Sequence, residues 1–219
     1  MAHTAHFTFN SFQTGCYIIW DESGKCTLID PGCSAPEEIS QIKNFITAKG
    51  LTPVCIMLTH AHFDHIFGVS EISRTYGIPV YMHPKERFTM EGNGPSCRMF
   101  GMSEPEGFET IDVAHGDTVA VGDMKFEVIE TPGHTVGGVC YLEREAKLIA
   151  TGDTIFAGTI GRSDLPGGDY DVLMRSIFEK LLMLEGDTRI LPGHGPSSDI
   201  STERMTNPFL LPFNEPAEI

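Results

Sequence analysis

The sequence predicts a single α/β domain over residues 1–219, with mixed β-sheets and helices between the strands. Short apolar runs typical of buried strands recur along the chain, and amphipathic helical stretches with capping signals separate several of them. Of the 219 residues, 41% are hydrophobic, which is enough for a sizeable core. No linker, tandem repeat or low-complexity segment divides the chain, so one domain is expected.

The N-terminal part predicts a β-hairpin followed by a helix. Apolar runs at 16–20 and 26–30 flank a polar turn and form the expected hairpin. Ser34 is the predicted N-cap of the helix, Glu37 completes a capping box, and Gly50 ends the helix. The face of this helix that is predicted to be buried carries Ile39, Ile42 and Ile46.

A buried strand is predicted at 54–58, a helix at 66–76 and a short strand at 80–82. The following segment, from 84 to 116, is rich in Gly, Pro, Met and Ser and shows little periodicity. Such a segment is typical of a lid or a substrate-binding wall, or of a surface excursion with one short helix. The composition leaves both interpretations open.

Regular secondary structure is predicted again in the C-terminal half of the chain. Strands are expected at 118–121, 125–130, 139–142 and 147–150, and a last strand at 189–191. An amphipathic helix is expected at 170–184, ending at Gly186. The tail from Asn207 contains three prolines and is expected to wrap around the surface.

The segment 59–65, with the sequence THAHFDH, is the strongest functional signal, and we call it the metal loop. Side chains two residues apart in extended chain point to the same side, so His60 and His62 are expected to reach one metal. Asp64 and His65 lie where the chain turns into a helix, and their different directions suit a second metal. An ordinary polar loop would rarely combine these ligands at this spacing. Imidazole and carboxylate suit zinc, iron or manganese.

Three further polar residues follow predicted strands in the same way as His60. They are His134, Asp153 and His194, each preceded by a glycine that permits a tight turn. The carboxyl ends of strands are where open α/β folds build their sites. We therefore expect these residues to share one site with the metal loop.

These motifs resemble those of the metallo-β-lactamase-fold hydrolases, and within them the glyoxalase II-like (hydroxyacylglutathione hydrolase) branch. The resemblance is carried by HAHFDH, TPGHTVGG, TGDTIFAGTIGRSDLPGGD and LPGHGPSSDISTERMTNPF, which lie between about residues 59 and 213. It implies an αββα sandwich with metals in a cleft at one edge. Because the chain ends soon after His194, a short form without the C-terminal helical domain is expected.

The resemblance implies two divalent metal ions per chain, with zinc expected and iron or manganese as alternatives. One ion would be held by His60, His62 and His134, the other by Asp64, His65 and His194, with Asp153 bridging both. A water shared by the two ions would become the hydroxide that attacks a carbonyl carbon. Asp64 and Asp153 are the catalytic candidates, and Asp64 is best placed to handle a proton. The aspartate at 153 argues against β-lactamase activity, since the dinuclear zinc β-lactamases typically carry cysteine there.

The activity that the resemblance implies is hydrolysis of a thioester such as S-lactoylglutathione. A thiolate departs with little protonation, so this reaction needs no strong general acid. Arg162 falls where the family carries a basic residue that contacts glutathione, and it is the predicted substrate-binding residue. A structural ion pair with Asp164 or Asp169 is the alternative for Arg162. Asp164 stands near the position of a substrate-contacting tyrosine in that family, which leaves the exact thiol open.

Other functions on the same scaffold stay open. They are a mononuclear iron persulfide dioxygenase, a lactone or other ester hydrolase, and a non-catalytic metal-binding module. The complete set of seven candidate ligands argues against the last of these, because an idle site would be expected to lose ligands.

The composition and charge of the chain limit the classes of partner that are expected. The formal charge of -15 disfavours a nucleic-acid partner. No run approaches the ~20 apolar residues that cross a bilayer, and no signal peptide is expected. The six cysteines form no CxxC pair and are typical of reduced core residues. We expect a cytoplasmic enzyme acting on a small molecule, as a monomer or small homo-oligomer.

Overall fold

A computed structural model describes residues 2–211 as two six-stranded β-sheets packed face to face, with helices on both outer faces. Apolar side chains of both sheets form a common middle layer, which includes Tyr17, Ile19 and Met57 from one sheet and Val128, Tyr141 and Ala150 from the other. The predicted αββα sandwich is therefore confirmed.

The first sheet contains the N-terminal strands in sequence order. Its strands are β1 (His3–Phe9), β2 (Thr14–Trp20), β3 (Lys25–Ile29), β4 (Thr52–Met57), β5 (Val80–Met82) and β6 (Ile111–Asp112). β1, β2 and β3 pair antiparallel, whereas β3, β4, β5 and β6 pair parallel. The helices of this half are α1 (Pro36–Lys49), α2 (Phe63–Ile66), α3 (Val69–Tyr76), α4 (Glu86–Glu91) and α5 (Asn93–Met99).

The second sheet has the order β14-β13-β10-β9-β8-β7. Its strands are β7 (Thr118–Val121), β8 (Met124–Glu130), β9 (Val139–Glu143), β10 (Leu148–Gly152), β13 (Arg189–Pro192) and β14 (Ser198–Asp199), and a separate hairpin contains β11 (Ile155–Phe156) and β12 (Thr159–Ile160). Only the β10–β13 pair in this sheet is parallel. The helices are α6 (Tyr170–Ser176), which continues as a π-helix (Ile177–Leu181), and α7 (Ile200–Thr206).

The start of α1 differs from the prediction by one residue. Ala35, not Ser34, is the N-cap, because Pro36 occupies the first helical position, where its missing N–H costs nothing. The capping carboxylate belongs to Glu38 rather than Glu37. It accepts hydrogen bonds from the backbone N–H of Ser34 (2.7 Å) and Ala35 (3.2 Å). The predicted buried face of the helix and its end at Gly50 are confirmed.

The other two predicted helices, at 66–76 and 170–184, both differ from the prediction. The first is interrupted at Gly68, where a Cβ would lie only 2.1 Å from Cys33 Sγ and 2.9 Å from Pro31 O. This close approach of two backbone segments separates α2 from α3. The second helix changes to π geometry at Ile177 and ends at Leu181 instead of continuing to Gly186.

Several elements were not predicted. They are β1, β6, the β11–β12 hairpin, β14 and α7. The strand at 189–191 is therefore not the last one. The 84–116 segment contains two short helices, α4 and α5, where one of the two alternatives expected a single short helix. Of the tail predicted from Asn207, the described part contains buried Asn207 and Leu210, and the rest lies outside the described residues.

All six cysteines are free and buried. Burial raises the pKa of the Cys33 thiol to about 12 and that of Cys140 to about 11, so these thiols stay protonated at neutral pH. Within residues 2–211, the structure contains no helix with the length and hydrophobicity that a bilayer crossing requires.

The packing between α1 and the first sheet can be tested at Ile42, because its side chain is fully buried there. Ile42→Ala leaves a cavity and should lower the free energy of unfolding by about 2–5 kcal/mol. The matched control is Gln41→Ala on the exposed face of the same helix, which should change it by less than about 0.5 kcal/mol. Guanidinium unfolding measures both. Equal effects of the two substitutions would contradict this packing.

Candidate metal centre

The structure brings all seven predicted ligand side chains to one edge of the sandwich. They are His60, His62, Asp64, His65, His134, Asp153 and His194. The metal loop follows β4 of the first sheet, whereas the other three residues follow β8, β10 and β13 of the second sheet. The site therefore lies where strand ends of both sheets meet.

One set of three side chains, the first ligand group, contains His60, His62 and His134. One ring nitrogen of each lies within 4.8 Å of the others. Nδ1 of His62 is 2.9 Å from Nε2 of His134. The rings of His60 and His62 stand nearly perpendicular, with centroids 4.9 Å apart. Three imidazoles thus converge on a single point.

A second set, the second ligand group, contains Asp64, His65 and His194, again with one ligand atom each within 4.8 Å. Oδ2 of Asp64 lies 3.5 Å from Nε2 of His65 and 3.5 Å from Nε2 of His194. The hydroxyl of Thr14 donates a hydrogen bond of 2.7 Å to the same oxygen. This hydrogen bond fixes the orientation of the carboxylate.

The Asp153 carboxylate faces both ligand groups. Its Oδ2 is 3.5 Å from Nε2 of His134 and 3.4 Å from Nε2 of His194, and its Oδ1 is 3.4 Å from Nε2 of His65. Gly152 makes this position possible, because it has φ +47° and a Cβ there would lie 2.1 Å from Thr59 Oγ1. The arrangement suits a carboxylate shared by two cations.

The outer nitrogens of four histidines are fixed by oxygen acceptors. The pairs are His60 Nδ1 with Thr59 Oγ1 (3.1 Å), His65 Nδ1 with Asp30 Oδ2 (3.0 Å), His134 Nδ1 with Arg162 O (2.6 Å) and His194 Nδ1 with Phe12 O (3.1 Å). A carbonyl or carboxylate oxygen only accepts, and the Thr59 hydroxyl donates its own proton to Asp30. In these pairs Nδ1 of the histidine therefore carries the proton. Nε2 then offers its lone pair to the site, which is the tautomer a metal requires.

Three polar atoms that face the site are buried without a hydrogen-bond partner among residues 2–211. They are Nε2 of His60, Nε2 of His65 and Oδ1 of Asp153. Buried polar atoms are nearly always bonded, so their concentration at one point indicates a ligand. All three offer lone pairs to a cation, and a donor set of imidazoles and carboxylates fits divalent zinc, iron or manganese.

Burial and neighbouring charges shift the pKa values of three site histidines in different directions. Burial lowers the pKa of His60 well below its ordinary value, and burial together with His134 lowers that of His62 to about 3. Burial also opposes charge on His65, but Asp64 and Asp153 raise its pKa well above the ordinary value. His60 and His62 are therefore held as neutral imidazoles, the form that binds metals.

Asp30 is a site residue that the sequence analysis missed. Its buried carboxylate accepts hydrogen bonds from Thr59 N (2.8 Å), Thr59 Oγ1 (2.5 Å) and His65 Nδ1 (3.0 Å). It contacts the outer nitrogen of His65, so it orients ligands and does not take the place of one. The signal was present, because Asp30 directly follows an apolar strand as Asp153 does.

Arg162 lies beside the metal centre and lines a cavity of about 490 Å³ with Asp153 and His194. The remaining walls are largely apolar and include Phe156, Ala157, Ile160 and Pro196. The guanidinium forms two hydrogen bonds with Asp164, from Nε (2.8 Å) and Nη2 (2.9 Å). Asp169 instead caps α6 by accepting from Val172 N. The alternative pairing of Arg162 is thus with Asp164, and both side chains are exposed.

Comparison with known proteins identifies related sequences. Residues 10–194 match the family model of the metallo-beta-lactamase superfamily. The probable metallo-hydrolase YqgX of Bacillus subtilis is 39% identical over 208 residues, covering 92% of this chain and 94% of its own. The hydroxyacylglutathione hydrolase GloC of Haemophilus influenzae is 34% identical over 203 residues, covering 91% of this chain and 94% of its own.

Two solved structures are also similar. The crystal structure of BLEG-1 B3 metallo-beta-lactamase has a TM-score of 0.88 and 33% identity, covering 95% of this chain and 99% of its own. The crystal structure of TTHA1623 in a di-iron-bound form has a TM-score of 0.83 and 35% identity, covering 94% of this chain and 100% of its own.

Asp30→Asn should weaken metal binding about 10–100-fold, because partners of the ligands affect metal affinity on this scale. The amide keeps the volume, but its NH₂ cannot accept from Thr59 or His65. The matched control is Asp21→Asn. Asp21 is also buried and accepts from the backbone N–H of Ser23 and Asp123 in turns that belong to no ligand segment. Titration with zinc against a chelator measures both variants, and equal affinities would contradict the role of Asp30.

Proposed function

The chain belongs to the metallo-beta-lactamase superfamily, and we propose that it is a metal-dependent hydrolase that cleaves a thioester of glutathione or of a similar thiol. The observation that carries the proposal is the Asp153 carboxylate, which faces two complete ligand groups at distances of 3.4–3.5 Å. The similarity to GloC, which is named a hydroxyacylglutathione hydrolase, supports the thioester as the substrate class.

In this proposal His60, His62 and His134 would hold one divalent ion, and Asp64, His65 and His194 would hold the other. The Asp153 carboxylate faces both groups and would be shared by them. Zinc is the proposed metal, and the di-iron form of TTHA1623 supports iron as the alternative. Bound ions supply a water activated near neutral pH and Lewis acidity at the substrate carbonyl.

The residues of this chain orient the catalytic carboxylates and form the cavity beside them. Thr14 holds the metal-facing oxygen of Asp64 through a hydrogen bond of 2.7 Å. We assign Asp64 and Asp153 as the catalytic residues, with Asp64 as the group that handles a proton. The adjacent cavity, whose walls include Phe156 and Ile160, is the proposed place of the substrate. Because a thiolate leaves with little protonation, no further acid is required.

Arg162 is the proposed contact for a carboxylate of the substrate. Both side chains of the Arg162–Asp164 ion pair are exposed. Exposed ion pairs contribute only about 0–1 kcal/mol to stability. A carboxylate of glutathione can therefore replace Asp164 at small cost and form the same bidentate geometry.

A β-lactam is the second candidate substrate. Asp153 argues against it in the sequence, but BLEG-1 is described as a B3 metallo-beta-lactamase and is 33% identical to this chain. Opening a β-lactam requires protonation of an amide nitrogen, whereas a thiolate is a stable leaving group. Asp64 would then have to deliver that proton. The two substrates thus place different demands on the same site, and they can be compared directly.

The first experiment follows the loss of thioester absorbance when the metal-loaded protein meets S-D-lactoylglutathione. We expect hydrolysis that a chelator abolishes. Asp153→Ala should abolish turnover and lower the metal content, because it removes the shared ligand. Bound metal without hydrolysis, or full turnover by the variant, would contradict the proposal. A chromogenic cephalosporin tests the second candidate, and oxygen uptake with glutathione persulfide tests the iron dioxygenase.

Arg162→Ala should raise KM for the glutathione thioester about tenfold with little change in kcat, because a charge-assisted contact to the bound substrate is lost. Asp164→Ala is the control. It frees the guanidinium, so KM should stay the same or fall. An unchanged KM in Arg162→Ala would show that the pair with Asp164 is purely structural.

A further inference from the structure

Two buried polar side chains from the 84–116 segment lie against the backbone of the metal loop. Glu86, on α4, is 0% exposed, and Asn93, on α5, is 4% exposed. Their hydrogen bonds go to backbone groups next to the proposed ligands. This segment therefore does more than cover the surface.

Glu86 connects the two chain segments that supply the first ligand group. Its Oε2 accepts a hydrogen bond of 2.7 Å from the backbone N–H of Ala61, the residue between His60 and His62. Its Oε1 accepts one of 2.8 Å from the backbone N–H of Gly137, three residues after His134. One carboxylate thus fixes the distance between the metal loop and the loop of His134.

Asn93 holds the metal loop from a second direction. Its Nδ2 donates a hydrogen bond of 2.8 Å to the carbonyl of Ala61, and its Oδ1 accepts one of 3.1 Å from the backbone N–H of Phe63. These groups lie on both sides of His62. The N–H and the C=O of Ala61 are therefore both bound by side chains from the 84–116 segment.

The close approach of Gly137 supports this interpretation. A Cβ at Gly137 would lie 2.9 Å from the backbone nitrogen of Glu86 and 3.0 Å from its Oε1, so the position needs glycine. A buried carboxylate or amide is strongly unfavourable unless it is hydrogen-bonded. Glu86 and Asn93 form these hydrogen bonds with the loops that carry three proposed histidine ligands.

We propose that Glu86 and Asn93 are positioning residues that set the spacing of His60, His62 and His134 and thereby the affinity of this group for its metal ion. The inference rests on the proposed function only in taking these histidines as ligands. Its test measures metal binding, so the identity of the substrate does not affect the outcome.

The experiment compares zinc dissociation constants, determined by competition with a chromophoric chelator. His134→Ala and His194→Ala first assign one constant to each ligand group. Glu86→Gln should raise the constant of the first group about 10–100-fold, the scale for lost supporting bonds, and leave the other unchanged. The glutamine NH₂ would face a backbone N–H that needs an acceptor. Asn93→Asp should act alike, since a carboxylate cannot donate to the Ala61 carbonyl.

Glu203→Gln is the matched control. Glu203 is also a buried glutamate. It accepts from the backbone N–H of Gly158 (2.9 Å), from Asn207 Nδ2 (2.8 Å) and from the Ser198 hydroxyl, and each of these partners lies at least four residues from every proposed ligand. Its replacement should lower the unfolding temperature without changing either zinc constant.

A second readout covers variants that fold poorly. Zinc should raise the unfolding temperature less in Glu86→Gln than in the wild type, because the gain depends on affinity. In Glu203→Gln the gain should equal that of the wild type. The proposal is overturned if Glu86→Gln and Asn93→Asp keep wild-type zinc constants, or if both constants weaken equally. Failure of thioester hydrolysis with the expected zinc constants would instead count against the proposed function alone.

Discussion

The candidate metal centre requires that two separate β-sheets meet in fixed register, since each sheet supplies part of the His/Asp cluster. Two buried tyrosine hydroxyls maintain that register. Tyr17 of the first sheet donates to the carbonyl of Pro192 in the second (2.9 Å), and Tyr141 of the second sheet donates to the carbonyl of Leu58 at the end of the first (3.1 Å). Each acceptor precedes a histidine ligand by two residues. A slip between the sheets would leave buried groups unpaired at about 1–3 kcal/mol each.

Register alone would not hold the ligands, because three of their inward-facing atoms have no hydrogen-bond partner among residues 2–211. They are Nε2 of His60, Nε2 of His65 and Oδ1 of Asp153. The hydrogen bonds made by the outer ring nitrogens therefore determine the orientation of the histidines. Asp30 is central here, since its carboxylate contacts Thr59 and His65, and Thr59 in turn contacts His60. One buried carboxylate thus orients a histidine of each ligand group. Asp30 has φ +47°, an uncommon conformation for a residue with a Cβ, which places the carboxylate under the metal loop.

The strand-end ligands could be predicted because each follows an apolar run, and the helical face of α1 could be predicted from its period. Asp30 carried the same signal but was interpreted only as the end of a strand, because Asp-Pro-Gly is typical of turns. The start of α1 depends on Glu38, which also accepts from the backbone N–H of Asn10, a contact 28 residues away that no local pattern contains. Helices of six and seven residues, such as α4 and α5, are too short for a clear period, and tertiary bonds stabilise them.

The supporting bonds also explain how this scaffold can be similar both to GloC and to a protein described as a β-lactamase. Arg162 binds His134 through its backbone carbonyl (2.6 Å), while its side chain lines the cavity. Phe12 likewise binds His194 through its carbonyl, while its ring stacks edge-to-face with that of Phe100 (4.9 Å). A substitution changes the side chain but leaves the carbonyl in place. The side chains at these two positions can therefore differ without loss of the backbone contacts with His134 and His194.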